Sequence, residues 1–209
     1  MTLLGEAAGG GFARRPEYDL ELNPEFPGSG EQQLTVFGEA RDVACVLAIT
    51  PADGATWWAE IRGGSVVGVR PTPNPRIVCV QGDSSALLID TVTREQVGDD
   101  MWPVEQVFDA VDAELLLIVD YSSVTAVGDE GIKWKSPPID VYGMSITAAD
   151  SDYIELEGGY EYGPPPHTRY RLDVATGQEV EETELRRVEP LWVPLKRARR
   201  KWWAPWSRG

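Results

Sequence analysis

A chain of 209 residues, 42% apolar and 25% charged, is long enough and apolar enough to bury one ordinary core, which excludes a chain disordered throughout. Its longest apolar runs, such as Leu115 to Val119, fall far short of the roughly 20 residues that a spanning helix needs, so no transmembrane segment is expected. The net charge of −15 is uneven: six of the 19 basic residues and none of the 34 acidic ones lie in residues 190–209, leaving 13 basic against 34 acidic, or −21, before it, and a body so acidic argues against nucleic acid as its partner.

Residues 1–30 are rich in Gly, Pro and Glu and read as a flexible arm, with Tyr18, Leu20 and Leu22 alternating as a short edge strand. The start, MTLLGEAAGGGFARR, has neither the basic opening nor the apolar core of a secretory leader, so a cytoplasmic location is expected. Leu34 to Thr50 gives two strand-like runs around a polar turn at Gly38 to Asp42. Pro51-Ala52-Asp53-Gly54 is a turn, with Pro pre-set for its first corner and Gly free to take positive φ. Thr56 to Ile61 follows as a strand of aromatic and β-branched residues, then a turn at Gly63-Gly64 and a strand over Ser65 to Val69.

Pro71, Pro73 and Pro75 remove three ladder donors and make a loop. Ile77 to Val80 and Ala86 to Asp90 form the next hairpin around Gln81 to Ser85. Pro103 to Val111 has helical spacing at Val104, Val107, Phe108 and Val111, but its β context favours a strand ending at a turn around Asp109 to Asp112. The stretch Leu115 to Pro137, LLLIVDYSSVTAVGDEGIKWKSP, is the clearest in the chain: apolar runs bounded by Asp, Ser and Gly predict strand, turn, strand, turn, strand. Val141 to Ala148 and Tyr153 to Glu157 are further strands. A loop over Gly158 to Thr168 holds Pro164 to Pro166, and Tyr170 to Asp173 leads into a turn at Ala175-Thr176-Gly177. Glu179 to Val188 suits a short helical turn or a closing strand.

Turn-plus-strand units recur. With Gly54, Arg94, Gly131 and Gly177 as marks, the steps are 40, 37 and 46 residues, and each mark is followed three positions later by Trp or Val. Steps of this size suit small sheets that stack because none buries both faces alone. The expected fold is therefore all-β: a single domain of about four antiparallel sheet repeats over residues 31–189, a small or incomplete propeller, with a β-sandwich as the alternative. DTVTREQV (Asp90 to Val97) and DVATGQEV (Asp173 to Val180) are the closest pair of units. This strand–D-x-x-T-G-x-x-V unit resembles the inner hairpin of quinoprotein-type propeller repeats. Residues 70–180 more broadly, with Pro73-Asn74-Pro75, LLIDT, LLLIVDY, Gly131-x-x-Trp134-x-Ser136-Pro137 and RLDVATG, look like a group of small bacterial proteins. The chain departs from that pattern after Pro137, where Asp140-Val141-Tyr142-Gly143 stands in place of Ser-Trp-Asp-Gly. The resemblance carries over no functional residue and no quinone cofactor, since a repeat reports fold and not site.

Signatures of catalysis are sparse. The one histidine, His167, follows three prolines and reads as a solvated loop residue with no nucleophile suggested beside it. Cys45 and Cys79 sit in apolar runs and read as buried thiols; with one His they make no metal set. Gly9 to Gly11 precedes no helix and cradles no phosphate. No catalytic residue, metal or cofactor is expected. Carboxylates are abundant, and Asp99, Asp100, Asp129 and Glu130 mark an acidic loop surface. The tail, residues 190–209, interleaves four of the eight tryptophans (Trp192, Trp202, Trp203, Trp206) with Lys196, Arg197, Arg199, Arg200, Lys201 and Arg208. It suits a contact with a protein partner or a strap laid in cis or on a neighbouring chain; a membrane surface and nucleic acid are the other readings.

The expected function is non-catalytic protein binding: an acidic module that blocks a basic partner surface, as immunity or inhibitor proteins do. Two alternatives stand beside it, a hydrolase using paired loop carboxylates and a structural subunit assembled through the Trp-rich tail.

Overall fold

The turn-and-strand units separate into four small sheets in the computed structural model, which describes residues 11–24, 34–139, 142–159 and 168–180. Sheet A holds β1 (Tyr18–Leu22), β2 (Leu34–Phe37), β3 (Val43–Pro51) and β4 (Trp57–Arg62), in the order β1-β3-β4-β2. Sheet B is the meander β5 (Val66–Pro71), β6 (Ile77–Gly82), β7 (Ala86–Asp90) and β8 (Glu95–Gln96). Sheet C is the meander β9 (Val104–Ala110), β10 (Leu115–Asp120), β11 (Val124–Gly128) and β12 (Gly131–Lys135), with a single 3-10 turn at Val111–Ala113. Sheet D comprises β13 (Tyr142–Ala149), β14 (Tyr153–Gly159) and β15 (Thr168–Asp173), and Glu179 bridges back to Leu172 as a rudimentary fourth strand. Sheets B, C and D begin at Val66, Val104 and Tyr142, 38 residues apart each time. Each of the four register marks of the sequence falls in a different sheet.

Strand periodicity explains how the sheets stack. Successive side chains point to opposite faces, so a strand covered on both sides must be apolar at every position. β10 is such a strand: Leu115, Leu117 and Val119 pack with Ile146, Ile154, Leu156 and Leu172 of sheet D, while Leu116 and Ile118 pack with Ile77, Cys79 and Leu88 of sheet B. In β6, Ile77 and Cys79 face sheet C, and Val78 and Val80 turn to Leu47, Ile49, Trp57 and Ile61 of sheet A. The buried clusters thus join A to B, B to C and C to D. The outermost faces are different in kind. Beyond the core, sheet D carries Ser145, Thr147, Glu155, Glu157 and Arg171, with Arg171 paired to Glu155 at 2.7 Å and lying over the Tyr153 ring at 5.1 Å. A sheet with a charged outer face ends a stack.

Three details depart from the sequence expectation. The runs on either side of Gly38 to Asp42 are both strands, but they do not pair as a hairpin. β2 instead runs parallel to β4, with Leu34 opposite Trp58 and Phe37 opposite Ile61. Gly38 sits at φ +88 where a Cβ would lie 2.5 Å from the Arg62 carbonyl oxygen, so the chain there closes against the end of β4 and not against β3. The second detail is the N-terminal arm. β1 is the expected edge strand, paired with β3, and the residues before it cross the ends of three sheets. Ala52 N–H donates to the Glu17 carbonyl, Glu17 N–H to the Pro75 carbonyl, and Ala13 N–H to the Glu114 carboxylate, while Phe12 packs on the core between B and C. The third is the loop expected over Gly158 to Thr168, where Gly158 and Thr168 are instead paired strand residues. Pro103 to Val111 resolves to strand, as β9. His167, Pro164 to Pro166, and everything from residue 181 onward lie outside the described residues.

Candidate functional site

Two tryptophans fix which ends of the sheets lie together. Trp57 of sheet A donates its indole N–H to the Thr91 carbonyl of sheet B at 2.9 Å, and Trp134 of sheet C donates to the Val174 carbonyl of sheet D at 2.9 Å. The accepting residues are equivalent, each following the aspartate of a D-x-x-T turn. Asp90 Oδ1 accepts from the N–H groups of Val92 and Thr93; Asp173 Oδ1 accepts from the N–H and hydroxyl of Thr176. Such turns suit Asp because its short carboxylate reaches backbone donors two and three residues on. Both then place a residue at positive φ, Arg94 at 63° and Gly177 at 68°. The Arg94 guanidinium lies 5.7 Å from the Trp57 ring, whereas Trp134 lies directly against Gly177.

These docks join the turn ends of A to B and of C to D, and Gly131 of the β11–β12 turn lies against Ile77 at the start of β6, so all four sheets present the same end. There lie the β3–β4, β7–β8 and β11–β12 turns, the turn after β15, the first connections of sheets B, C and D, and the N-terminal segment. The exposed carboxylates Asp53, Asp112, Glu114, Asp129, Glu130, Asp150 and Asp152 are all in those connections, and Glu17 joins them from the segment before β1. Basic groups at that end are fewer, Arg14, Arg15, Arg76 and Arg94: Arg14 lies 4.0 Å from Asp129, both well exposed, Arg76 pairs with Asp90 at 3.3 Å, and Arg94 lies over the Trp57 ring.

Of the acids singled out by the sequence, Asp129 and Glu130 belong to this end. Asp99 and Asp100 do not: they are exposed on the β8–β9 connection along the flank, and Asp100 accepts from the Gln96 side-chain amide at 2.9 Å. Trp192, Lys196, Arg197, Arg199, Arg200, Lys201, Trp202, Trp203 and Trp206 are outside the described residues. Glu17, Asp53 and Glu114 were not singled out by the sequence reading. The available signal was that an acid adjoins the connection at the same end of every sheet, which becomes visible only when the turns are aligned in space.

The thiols are buried and held protonated. Burial pushes Cys79 up to about 12 and Cys45 up to about 11. Among the described residues no group of three or more His, Cys, Asp or Glu is placed to hold a metal ion, and no helix is long and apolar enough to cross a membrane.

Among the described residues two carboxyls are shifted, both downward. For Asp120, partial burial works to raise the pKa, but the Ser123 hydroxyl, the N–H groups of Ser122 and Ser123, and Lys135 at 3.2 Å outweigh it. For Asp150 the donors are the N–H groups of Tyr153 and Asp152. A carboxyl whose folded pKa lies below its ordinary 3.8 contributes stability that is fully present above that value and lost as pH falls through the folded pKa. Asp120→Asn should therefore lower stability by about 1–2 kcal/mol at neutral pH, and urea midpoints of variant and parent should converge in strong acid. A gap of the same size at both pH values would mean that the charge of Asp120 contributes nothing.

The chain matches no protein-family model and no curated protein sequence.

Proposed function

We propose that this protein is a non-catalytic binding module of the cytoplasm, whose acid-rich turn end blocks a basic surface on a partner protein in the manner of an immunity or inhibitor protein. One observation carries the reading: topology gathers eight exposed carboxylates, from sheets A, C and D and the segment before β1, at one end of the stack. Sheets position that end rigidly, and a dense field of one sign steers an oppositely charged partner and rejects like-charged ones. The likeness of the D-x-x-T turns to quinoprotein-type repeats is proposed as a kinship of fold, without a cofactor.

Partners captured on the full chain and identified by mass spectrometry should be basic. Their affinity should fall at least about tenfold between low and high salt, and should be lost when Asp53, Asp112, Asp129, Glu130 and Asp150 are changed together to Lys. A captured partner indifferent both to salt and to that charge reversal would remove the reading.

A further inference from the structure

Sheets A and D end the stack, but they do not end it alike. The outward face of D is polar, whereas register places Leu34 and Val36 of β2 and Val43 of β3 on the outward face of A, beside Trp58, which is itself buried. Leu34, Val36 and Val43 are 45%, 44% and 50% exposed, an aliphatic patch on an edge of the fold. Asp19 and Glu21 of β1 project from the same face, as does Glu60 of β4, which is paired with Arg62 at 2.6 Å beside Val43.

We propose that the basic, Trp-rich segment 190–209 of the same chain docks on this outward face of sheet A. Its composition is complementary, with large apolar rings for the aliphatic patch and six positive charges for the acidic border. Its reach is sufficient. The last described residue, Val180, belongs to sheet D. Three sheet spacings of about 10 Å separate D from A along the stack, or about 30 Å, and residues 181–191 extend to about 36 Å. Tethering favours the chain's own segment over a neighbour's, because the linker, though nearly extended, spans the gap and makes the contact intramolecular. The face of sheet D offers the segment no comparable surface. Docking there would give both ends of the stack a polar exterior and would cancel part of the excess acid charge of the body, away from the turn end.

Carbodiimide cross-linking of the full chain, which joins lysine amines directly to neighbouring carboxylates, tests this. In an equimolar mixture of unlabelled and 15N-labelled protein, Lys196 and Lys201 should link to Asp19, Glu21 or Glu60, in peptides of one isotope only. Links confined to the turn-end acids, links in mixed-isotope peptides, or none from these lysines to sheet A would each overturn the proposal. Hydrogen exchange supplies an independent readout. The amides of β2 should exchange at least tenfold faster in a full-length variant with Lys196, Arg197, Arg199 and Arg200 changed to Glu, while β14 of sheet D is unaffected. Unchanged exchange in β2 would also overturn it.

Discussion

Replacing Trp57 by alanine should lower the free energy of unfolding by about 3–5 kcal/mol, the largest single-residue effect expected in this chain. Trp57 is fully buried, it packs against Phe37 and the apolar face of sheet B, and its N–H is the hydrogen bond that joins sheet A to the β7–β8 turn. The cost has two separable parts. Trp57→Phe keeps most of the apolar area but leaves the Thr91 carbonyl, in a fully buried residue, without its donor; that alone should cost about 1–3 kcal/mol. Urea unfolding should show a lower midpoint for both variants, with alanine well below phenylalanine. A Trp57→Ala midpoint close to that of the parent would mean that the A–B junction does not depend on this side chain. Trp134 makes the equivalent bond but is only half-buried, so Trp134→Ala should cost less.

Gly177→Ala should cost about 2–4 kcal/mol although it adds one methyl group. Left-handed backbone costs a non-glycine residue about 1–2 kcal/mol, and here a Cβ would also lie 2.4 Å from Cε3 of Trp134. The ring cannot retreat without straining its bond to Val174. The contrasting change is Arg94→Gly at the equivalent turn. It relieves positive φ at 63° but removes a cation from the Trp57 ring. The backbone gain and the lost contact, about 0.5–1 kcal/mol, nearly cancel, and the variant should stay within about 1 kcal/mol of the parent. Thermal or urea unfolding of the two variants together is the measurement. If Gly177→Ala were as mild as Arg94→Gly, close packing of Trp134 over the turn would be wrong.

The element content of the chain was readable because most of it follows from local signals. Leu115 to Pro137 resolves into β10, β11 and β12 as expected, since Asp120 and the Asp129-Glu130-Gly131 turn punctuate apolar runs that suit strands covered on both faces. β9 required the β context to prevail over its helical spacing. The four repeats were visible in their turns, but uneven steps of 40, 37 and 46 hid a stricter period of 38 between the first strands, because sheet D has a longer connection between β14 and β15. Pairings were much less legible. Nothing local says that β2 lies parallel to β4, which depends on the approach of Gly38 to Arg62, or that residues 12–17 cross three sheets. The Trp or Val three residues after each mark was evident; that the tryptophans reach the next sheet's turn was not. For the surface, the acids were countable, but their gathering at one end is a property of topology, and it separates Asp129 and Glu130 from Asp99 and Asp100.

The 38-residue meanders of sheets B and C bear on how such a chain can change. Each touches its neighbours through two apolar faces of similar make, whereas sheet D carries one face that no further meander would cover with apolar contacts. A duplication that copied one middle unit in frame would find matching surfaces on both sides, while an extra unit added beyond sheet D would meet Glu155, Glu157 and Arg171. Lineages of this architecture are therefore expected to vary in length by internal multiples of one meander, and to keep their terminal sheets as fixed bookends.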